Sequence, residues 1–327
     1  MPPELTPESP TNAAPSNATG RMALGVSYNG QSYNGWQSQL SGNTVQDKLE
    51  AALGRFATHT VSTLCAGRTD SGVHGLMQVV HFDTPLRRPN ASWVRGTNTF
   101  LPPDIAVQWA QQVPDSFHAR ASATARRYAY VLLQSPVRPS VESGRVGWVH
   151  TPLNGDAMRQ AASILLGEHD FTSFRASACQ AKTPVKTIKR IEITDSRAVA
   201  PHPELGWSPC YWRFEFEANA FLHHMIRNIM GCLIAVGSGK QPVSWMQSVL
   251  HARSRDAAAP TFSPDGLYFL GPVYDAQWKL PQSTPPFAWP PRPPPTLPKP
   301  PPHPPRLASH RNPVPWPASA RESKSAA

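Results

Sequence analysis

The stretch Gly67-Arg68-Thr69-Asp70-Ser71-Gly72-Val73-His74 decides how this chain of 327 residues is organised. It places one carboxylate, one guanidinium, two hydroxyls and two glycines between the apolar run 61–66 and the alternating run 76–83. Because alternation of apolar and polar residues is typical of a strand, we expect a tight loop between two strands. Loops held by a rigid scaffold often carry functional residues.

Two interpretations of Asp70 are open from the loop alone. An aspartate in a loop often forms a turn, and an ion pair with Arg68 would fasten that turn. Alternatively the carboxylate is functional, since a neighbouring guanidinium keeps a carboxylate ionised even when it is partly buried. The nearby glycines favour the second interpretation, because glycine lets other groups approach the backbone closely. They are Gly67, Gly72 and Gly75.

Composition separates both ends of the chain from its body. Residues 1–20 contain five prolines, and residues 281–327 contain 17 of the 38 prolines. We predict a disordered N-terminal extension and a disordered, basic, polyproline-like tail, most simply a solvated one. The tail carries six basic residues and one acidic residue, and residues 1–20 carry two acidic ones, so the net charge of +10 leaves the body at +7. A basic body is compatible with a polyanionic partner.

Several protein classes are not indicated. The four cysteines form no Cys-x-x-Cys pair, so neither a zinc knuckle nor a disulfide framework is expected. The N-terminus lacks the pattern of a signal peptide, and no apolar run approaches the roughly 18 residues of a membrane span. No phosphate-binding loop, dinucleotide fingerprint or Gly-x-Ser-x-Gly elbow occurs. We therefore expect a soluble, cytoplasmic protein without membrane contact.

Hydrophobic periodicity predicts an α+β fold built on an antiparallel sheet. The first unit, residues 21–115, is expected to contain strands 22–28, 61–66, 76–83 and 105–110, a helix 45–56 capped by Thr44, and a helix or turn capped by Ser92. The second unit, residues 116–280, is expected to contain strands 126–133, 188–194, 211–218 and 267–270 and helices 156–166, 220–236 and 243–252. No sequence repeat proves that the units are duplicates.

A basic and aromatic segment, Ala125-Arg126-Arg127-Tyr128-Ala129-Tyr130, has strand character. Alternation puts Arg126, Tyr128 and Tyr130 on one face and Arg127 on the other. Aromatic rings beside guanidinium groups suit base stacking and phosphate contact. The alternative is an ordinary half-exposed sheet edge.

The predicted helix 220–236 is apolar but carries His223, His224 and Arg227. Adjacent histidines on a helix face different directions, whereas zinc-binding helices use i, i+4 spacing, so we expect no metal site there. A charge such as that of Arg227 is rarely buried without a partner.

Taken together, these segments resemble the TruA family of tRNA pseudouridine synthases over residues 22–275. The matching motifs, in chain order, are Tyr28-Asn29-Gly30, Gly35-Trp36-Gln37, Thr44-Val45-Gln46 with Leu49-Glu50, Gly67-Arg68-Thr69-Asp70 with Val73-His74, Gln78-Val79-Val80-His81-Phe82, Leu101-Pro102 with Asp104-Ile105, Phe117-His118-Ala119-Arg120, Arg127-Tyr128 with Tyr130, Phe221 to Gly231, and Gly266-Leu267-Tyr268. Their number and order make the resemblance highly specific.

The resemblance implies a pseudouridine synthase fold of two ferredoxin/RRM-like subdomains that share a mainly antiparallel sheet. It implies an isomerase that converts uridine to pseudouridine at positions 38, 39 and 40 of the tRNA anticodon stem-loop. Asp70 would be the nucleophile, paired with Arg68, which would also occupy the space of the extruded nucleotide. Tyr128 would stack on the target uracil, and Arg227 would hold the Asp70 carboxylate. A homodimer without cofactor or metal is expected.

Departures from the family pattern leave these four residues untouched. The departures are Asn29, Asn34 and Ser71, and they put fine substrate preference in doubt rather than activity. The resemblance leaves open whether Asp70 attacks ribose carbon 1′, attacks uracil carbon 6 or removes a proton. The rival functions are a non-catalytic tRNA-binding or RNA-folding protein and, more distantly, an aspartate-based nucleoside hydrolase.

Overall fold

A computed structural model describes residues 19–196 and 207–281. Ten strands form one sheet: β1 (Gly20–Tyr28), β2 (Leu64–Cys65), β3 (His74–Thr84), β4 (Ile105–Val113), β5 (Ala123–Gln134), β6 (Gly147–Val149), β7 (Gly167–Asp170), β8 (Val185–Asp195), β9 (Cys210–Ala218) and β10 (Leu267–Tyr274). Five α-helices accompany it in this part of the chain: α1 (Val45–Ala57), α2 (Asn90–Asn98), α3 (Gly155–Ser163), α4 (Met225–Gly237) and α5 (Trp245–Ala252).

The strand order of the sheet is β4-β1-β3-β10-β5-β9-β8-β7, with β2 beside β3 and β6 beside β5. Neighbours are antiparallel except for β10 with β3 and β6 with β5. The last strand, β10, lies between β3 and β5, so it joins the N-terminal strands to the C-terminal ones. Tyr268 pairs with His74 in that junction. The mainly antiparallel α+β architecture expected from the sequence is confirmed.

Local signals account for the helices whose starts were predicted well. Thr44 caps α1: its side chain accepts a hydrogen bond from the Asp47 backbone N–H, which satisfies a free donor of the first turn. Leu49 and Leu53 then lie on the buried face of α1. The mostly buried α4 is apolar on most sides, which fits a helix enclosed by the core.

Three local expectations need correction, and two short strands were not expected. The apolar run 61–66 forms only the two-residue strand β2. Ser92 does not cap α2, which begins at Asn90 directly after Pro89 without a side-chain cap. The helix expected over 220–236 begins at Met225, because the left-handed backbone of His224, with φ 61° and ψ 3°, cannot be part of a right-handed helix. The short strands β6 and β7 were not predicted, since three or four residues are too few for visible periodicity.

Two apolar clusters flank the sheet junction. One is built around α1 and α2 and includes Leu49, Leu53 and Trp93, and the other is built around α3 and α4 and includes Met158 and Ile229. The predicted boundary at 115/116 falls between β4 and β5 and stays a prediction, while the predicted disorder of 1–20 and 281–327 falls almost wholly outside the described residues. Within the described ranges, no helix is long and apolar enough to cross a bilayer.

Candidate active site

The loop that carries Asp70 enters β3 at the centre of the sheet and is fastened on both sides of that residue. The Trp36 backbone N–H donates to the Thr69 carbonyl over 3.0 Å, and the Ser71 hydroxyl donates to the Tyr33 carbonyl over 3.1 Å. The buried Thr69 hydroxyl pairs with the Tyr28 hydroxyl over 2.8 Å. The carboxylate is therefore presented by backbone that has little freedom to move.

The glycines around the loop serve different purposes: one allows an unusual backbone conformation, and another allows close approach of a side chain. Gly72 has a φ of +79°, a left-handed conformation that glycine adopts without strain. A Cβ on Gly75 would lie 2.4 Å from the Tyr28 ring, so close approach is confirmed there. Gly67 leaves ordinary contact distance to Phe269, so the expectation of close approach at that residue is wrong.

Asp70 contacts three nitrogen-bearing side chains. Its Oδ2 lies 3.4 Å from Nη1 of Arg227, on the first turn of α4, and 3.5 Å from Nε2 of His224. Its Oδ1 lies 3.4 Å from Nε2 of His223. Arg227 also donates from Nε to the Phe262 carbonyl over 2.8 Å, which fixes the guanidinium. The proximity of Arg227 to Asp70 fits the expectation from the sequence, across 157 residues of chain.

Arg68 does not pair with Asp70. Both side chains line the same cleft, because Thr69 between them turns inward, but Arg68 is exposed and is not among the ion-pair partners of Asp70 in the described residues. An exposed guanidinium at the cleft is free to contact a ligand. The expected ion pair is therefore replaced by Arg227 and the two histidines.

Tyr128 lies on the wall of the same cleft. Its ring packs against the rings of Phe269, at a centroid distance of 4.9 Å, and Phe221, at 5.2 Å. Burial raises the pKa of Tyr128, with smaller contributions in the same direction from Tyr28 and Asp70. The phenol therefore keeps its proton at neutral pH, and the residue offers an uncharged aromatic surface.

Arg126 has a structural role that the basic-aromatic pattern did not reveal. Its guanidinium donates to the carbonyls of Ala66, Ala123, Asn219 and Arg120. These five contacts use all five N–H donors of the side chain, so none remains for a phosphate. Arg126 instead fastens the start of the Asp70 loop to neighbouring segments.

Asp70, His223 and His224 each present one potential ligand atom, and these atoms lie within 4.8 Å of one another. A carboxylate and two imidazoles are donors that could hold a divalent cation. The sequence argument that adjacent histidines face different directions is wrong here, because this segment precedes the helix and the two rings lie side by side, tilted by 41° with centroids 4.0 Å apart. The guanidinium of Arg227 opposes a cation at the same point.

These side chains line a cleft of about 1660 Å³. Its described lining includes four arginines, while Asp70 supplies the one carboxylate. Such a volume exceeds the roughly 300–1,000 Å³ of an ordinary small-molecule pocket. A carboxylate beside a buried aromatic ring, in a cleft of this size lined by four arginines, is typical of an enzyme that acts on part of a large polyanion.

Comparison with known proteins identifies the family. The family model described as tRNA pseudouridine synthase matches residues 25–120 and 161–275. A protein of Verminephrobacter eiseniae (strain EF01-2) named tRNA pseudouridine synthase A is 78% identical over 256 residues, which cover 78% of this chain and 94% of that protein. A protein of the same name from Paracidovorax citrulli (strain AAC00-1) is 74% identical over 260 residues, with the same coverage of both chains.

The chain belongs to the tRNA pseudouridine synthase family. It is thus an isomerase of tRNA processing, as the sequence motifs predicted. A solved H/ACA ribonucleoprotein bound to a substrate RNA containing 2′-deoxyuridine aligns with 72% of this chain and 59% of its own at 12% identity. Its TM-score of 0.29 is too low to carry weight in the assignment.

Proposed function

We propose that this enzyme converts uridines 38, 39 and 40 in the anticodon stem-loop of tRNA to pseudouridine, with Asp70 as the nucleophile. The observation that carries the role of Asp70 is its position as the one carboxylate of the described cleft lining, held by Arg227 beside Tyr128. The tRNA positions are inferred from the resemblance of the motifs around residues 22–275.

The reaction is balanced without a redox partner or an energy source. The bond between uracil N1 and ribose carbon 1′ breaks, the uracil rotates, and a bond forms between carbon 5 and carbon 1′. Carbon 5 loses a proton and N1 ends with one, so the net change is isomerisation. An ionised aspartate can serve as a nucleophile toward carbon 1′ or carbon 6, or accept the carbon 5 proton, and each route preserves this balance.

The surrounding residues suit the steps that precede chemistry. A base inside a stem must leave its stack at a cost of a few kcal/mol, and stacking on an aromatic side chain recovers about 1–3 kcal/mol per base. In this proposal Tyr128 supplies that surface, and the exposed Arg68 occupies the vacated space and contacts the RNA. Arg227 places a positive charge beside the Asp70 carboxylate and holds it in position for the entering uridine.

Unmodified tRNA carrying tritium at uracil carbon 5 tests the reaction, because joining that carbon to ribose releases the label. The proposal expects tritium release without free uracil. Free uracil would indicate a hydrolase, and tight binding with neither product would indicate a non-catalytic RNA-binding protein. Transcripts in which cytidine replaces each of the three uridines in turn test the positions.

Asp70→Asn tests the nucleophile. Because an amide cannot replace an attacking carboxylate, turnover should fall at least about 10³-fold while the Kd for tRNA stays within a few-fold. Asp156→Asn is the matched control, since Asp156 lies on α3 with an 86% exposed side chain. If Asp70→Asn still forms pseudouridine at a comparable rate, the assignment of Asp70 is wrong.

The resemblance also leads us to infer a cytoplasmic homodimer. Light scattering of the purified protein, with and without tRNA, measures the mass of the particle. A mass of one chain at micromolar concentration in both samples would contradict the dimer.

A further inference from the structure

The segment between β9 and α4 places two histidines against Asp70 by contacts of its own. The Asn219 side chain accepts hydrogen bonds from the backbone N–H groups of Ala220, over 2.7 Å, and Thr187, over 3.1 Å. The His223 carbonyl accepts from the Ala176 N–H over 3.1 Å. The histidines therefore belong to an ordered turn whose course is set before α4 begins.

His224 adopts a conformation that α4 does not need for its own stability. It is the residue before the helix, with φ 61° and ψ 3°, and its side chain makes no capping hydrogen bond. A left-handed conformation is uncommon for a residue other than glycine, and such residues persist where the surrounding structure holds them, often at functional sites. Here the consequence is that the imidazole turns toward Asp70 rather than toward the free N–H groups of the helix.

Between them, the two imidazoles and Arg227 contact both oxygens of the Asp70 carboxylate. Arg227 and His224 both approach Oδ2, at 3.4 and 3.5 Å, whereas His223 approaches Oδ1 at 3.4 Å. Contacts at one oxygen alone leave the carboxylate free to turn about its Cβ–Cγ bond. A contact at each oxygen defines its plane, and therefore the direction in which its lone pairs point.

We propose that His223 and His224 are positioning residues that hold the Asp70 carboxylate in its reactive orientation by donating from Nε2 to its two oxygens. This inference rests on the function proposed above. The present separations are slightly longer than hydrogen bonds, and contacts of this kind commonly tighten when substrate is bound. The two rings also contact each other, with centroids 4.0 Å apart, so each limits the rotation of the other.

The groups that face His224 favour a neutral donor. Burial lowers the pKa of His224, the nearby positive charges of Arg227 and Arg255 and the ring of His223 act in the same direction, and Asp70 opposes them. A neutral imidazole with its proton on Nε2 donates one hydrogen bond to the carboxylate without neutralising it. Such a bond orients the carboxylate without adding a positive charge beside it.

Paired substitutions separate the effect of losing the N–H donor from the effect of changing the shape of the side chain. His223→Leu keeps an apolar volume but removes the N–H, whereas His223→Gln places an amide donor near the position of Nε2. His224→Gly also removes the donor, and it relieves the left-handed backbone strain instead of disturbing it. His251→Leu, on an exposed position of α5, is the control for loss of an imidazole elsewhere.

Single-turnover tritium release at saturating enzyme gives the rate of the bound complex, and filter binding gives the Kd for tRNA. We expect His223→Leu and His224→Gly to lower the bound rate about 10- to 100-fold with Kd within threefold, because misorientation by about 1 Å can cost 10²-fold. His223→Gln should recover most of the rate. His224→Gly should keep or raise the thermal midpoint, which a merely structural role would not allow.

Three outcomes overturn the inference or its basis. If His223→Leu and His224→Gly react within twofold of the unaltered enzyme while Asp70→Asn is inactive, the histidines do not position Asp70. If Asp70→Asn is active, the proposed role of Asp70, on which this inference rests, is wrong. If the purified enzyme binds one equivalent of Zn²⁺ only when both histidines are present, and chelation abolishes turnover, the histidines are metal ligands and the positioning role is wrong.

Discussion

Substitution of Gly35 by alanine tests whether the Asp70 loop rests on the segment that precedes α1. Gly35 has a φ of +88°, and a Cβ built on it would lie 2.7 Å from the Thr69 carbonyl oxygen and 3.1 Å from the Asp70 carbonyl carbon. Real Cβ atoms essentially never approach other atoms closer than 3.0 Å. Alanine at this position must therefore push the loop away by a few tenths of an ångström.

Gly42 provides the matched control. Its φ of +64° is also left-handed, but a Cβ on Gly42 would meet no atom within 4 Å. The left-handed conformation costs alanine about 1–2 kcal/mol at either position. Alanine also lowers the conformational entropy of the unfolded chain, which offsets about 0.4–1 kcal/mol of that cost at Gly35 and at Gly42. Overpacking adds about 1–3 kcal/mol at Gly35 alone, so the difference between the two variants isolates the contact with the loop.

Urea unfolding measures the stabilities, and single-turnover tritium release measures the bound rate. Gly35→Ala should lose about 1–3 kcal/mol more free energy of unfolding than Gly42→Ala. Because a displacement of about 1 Å can cost 10²-fold, a shift of a few tenths should lower the rate of Gly35→Ala about tenfold. Gly42→Ala should react at the normal rate. Equal stabilities and equal rates for the two variants would refute the idea that Gly35 supports the loop.

Three further predictions follow from buried groups. Burial lowers the pKa of His81 to about 4 in the folded protein. As pH falls below 6.5, the unfolded chain therefore binds a proton at this residue before the folded protein does. The free energy of unfolding should drop by up to about 3 kcal/mol between pH 6.5 and 4. Urea unfolding at several pH values should give a shallower slope for His81→Gln, and an unchanged slope would contradict this. Tyr128→Leu should lower the bound rate or the tRNA affinity about 10- to 100-fold through lost stacking, and full activity in the tritium assay would exclude a stacking role. Asn228→Leu should lower the free energy of unfolding by about 2–4 kcal/mol, measured with heat or urea. The reason is that the fully buried Asn228 amide donates a hydrogen bond to the Phe174 carbonyl and accepts one from the Thr261 hydroxyl. A loss below about 1 kcal/mol would show that these groups find other partners.

Local sequence signals predicted the elements that depend on local interactions. The Thr44 cap and the apolar face of α1 lie within one short segment, and the structure confirms both. The run 61–66 failed as a strand because apolar residues alone do not specify a pairing partner, and only Leu64–Cys65 finds one in β3. The start of α4 failed because the periodicity of apolar residues continues through Phe221 and Leu222, while the backbone there is bent by contacts with other segments.

The candidate site was likewise predictable from the sequence only in part. Asp70, Arg68, Tyr128 and Arg227 were identified from motifs, and the structure brings all four to one cleft, although their roles stay predictions. The spacing of His223 and His224 predicts no shared site if the two residues lie on a helix, but α4 begins only at Met225. Nothing in the sequence distinguished Arg126, whose donors are used by carbonyls, from the exposed Arg68.

The sequence by itself determined the family, the α+β class and the identity of the loop around Asp70, because these depend on residue types and spacings that lie within short segments. The tertiary structure decided what surrounds the carboxylate. Insertion of β10 between β3 and β5 brings Tyr128 beside Asp70, and the turn before α4 adds His223 and His224. Such contacts join segments far apart in the chain, so they depend on strand order and backbone course rather than on local pattern.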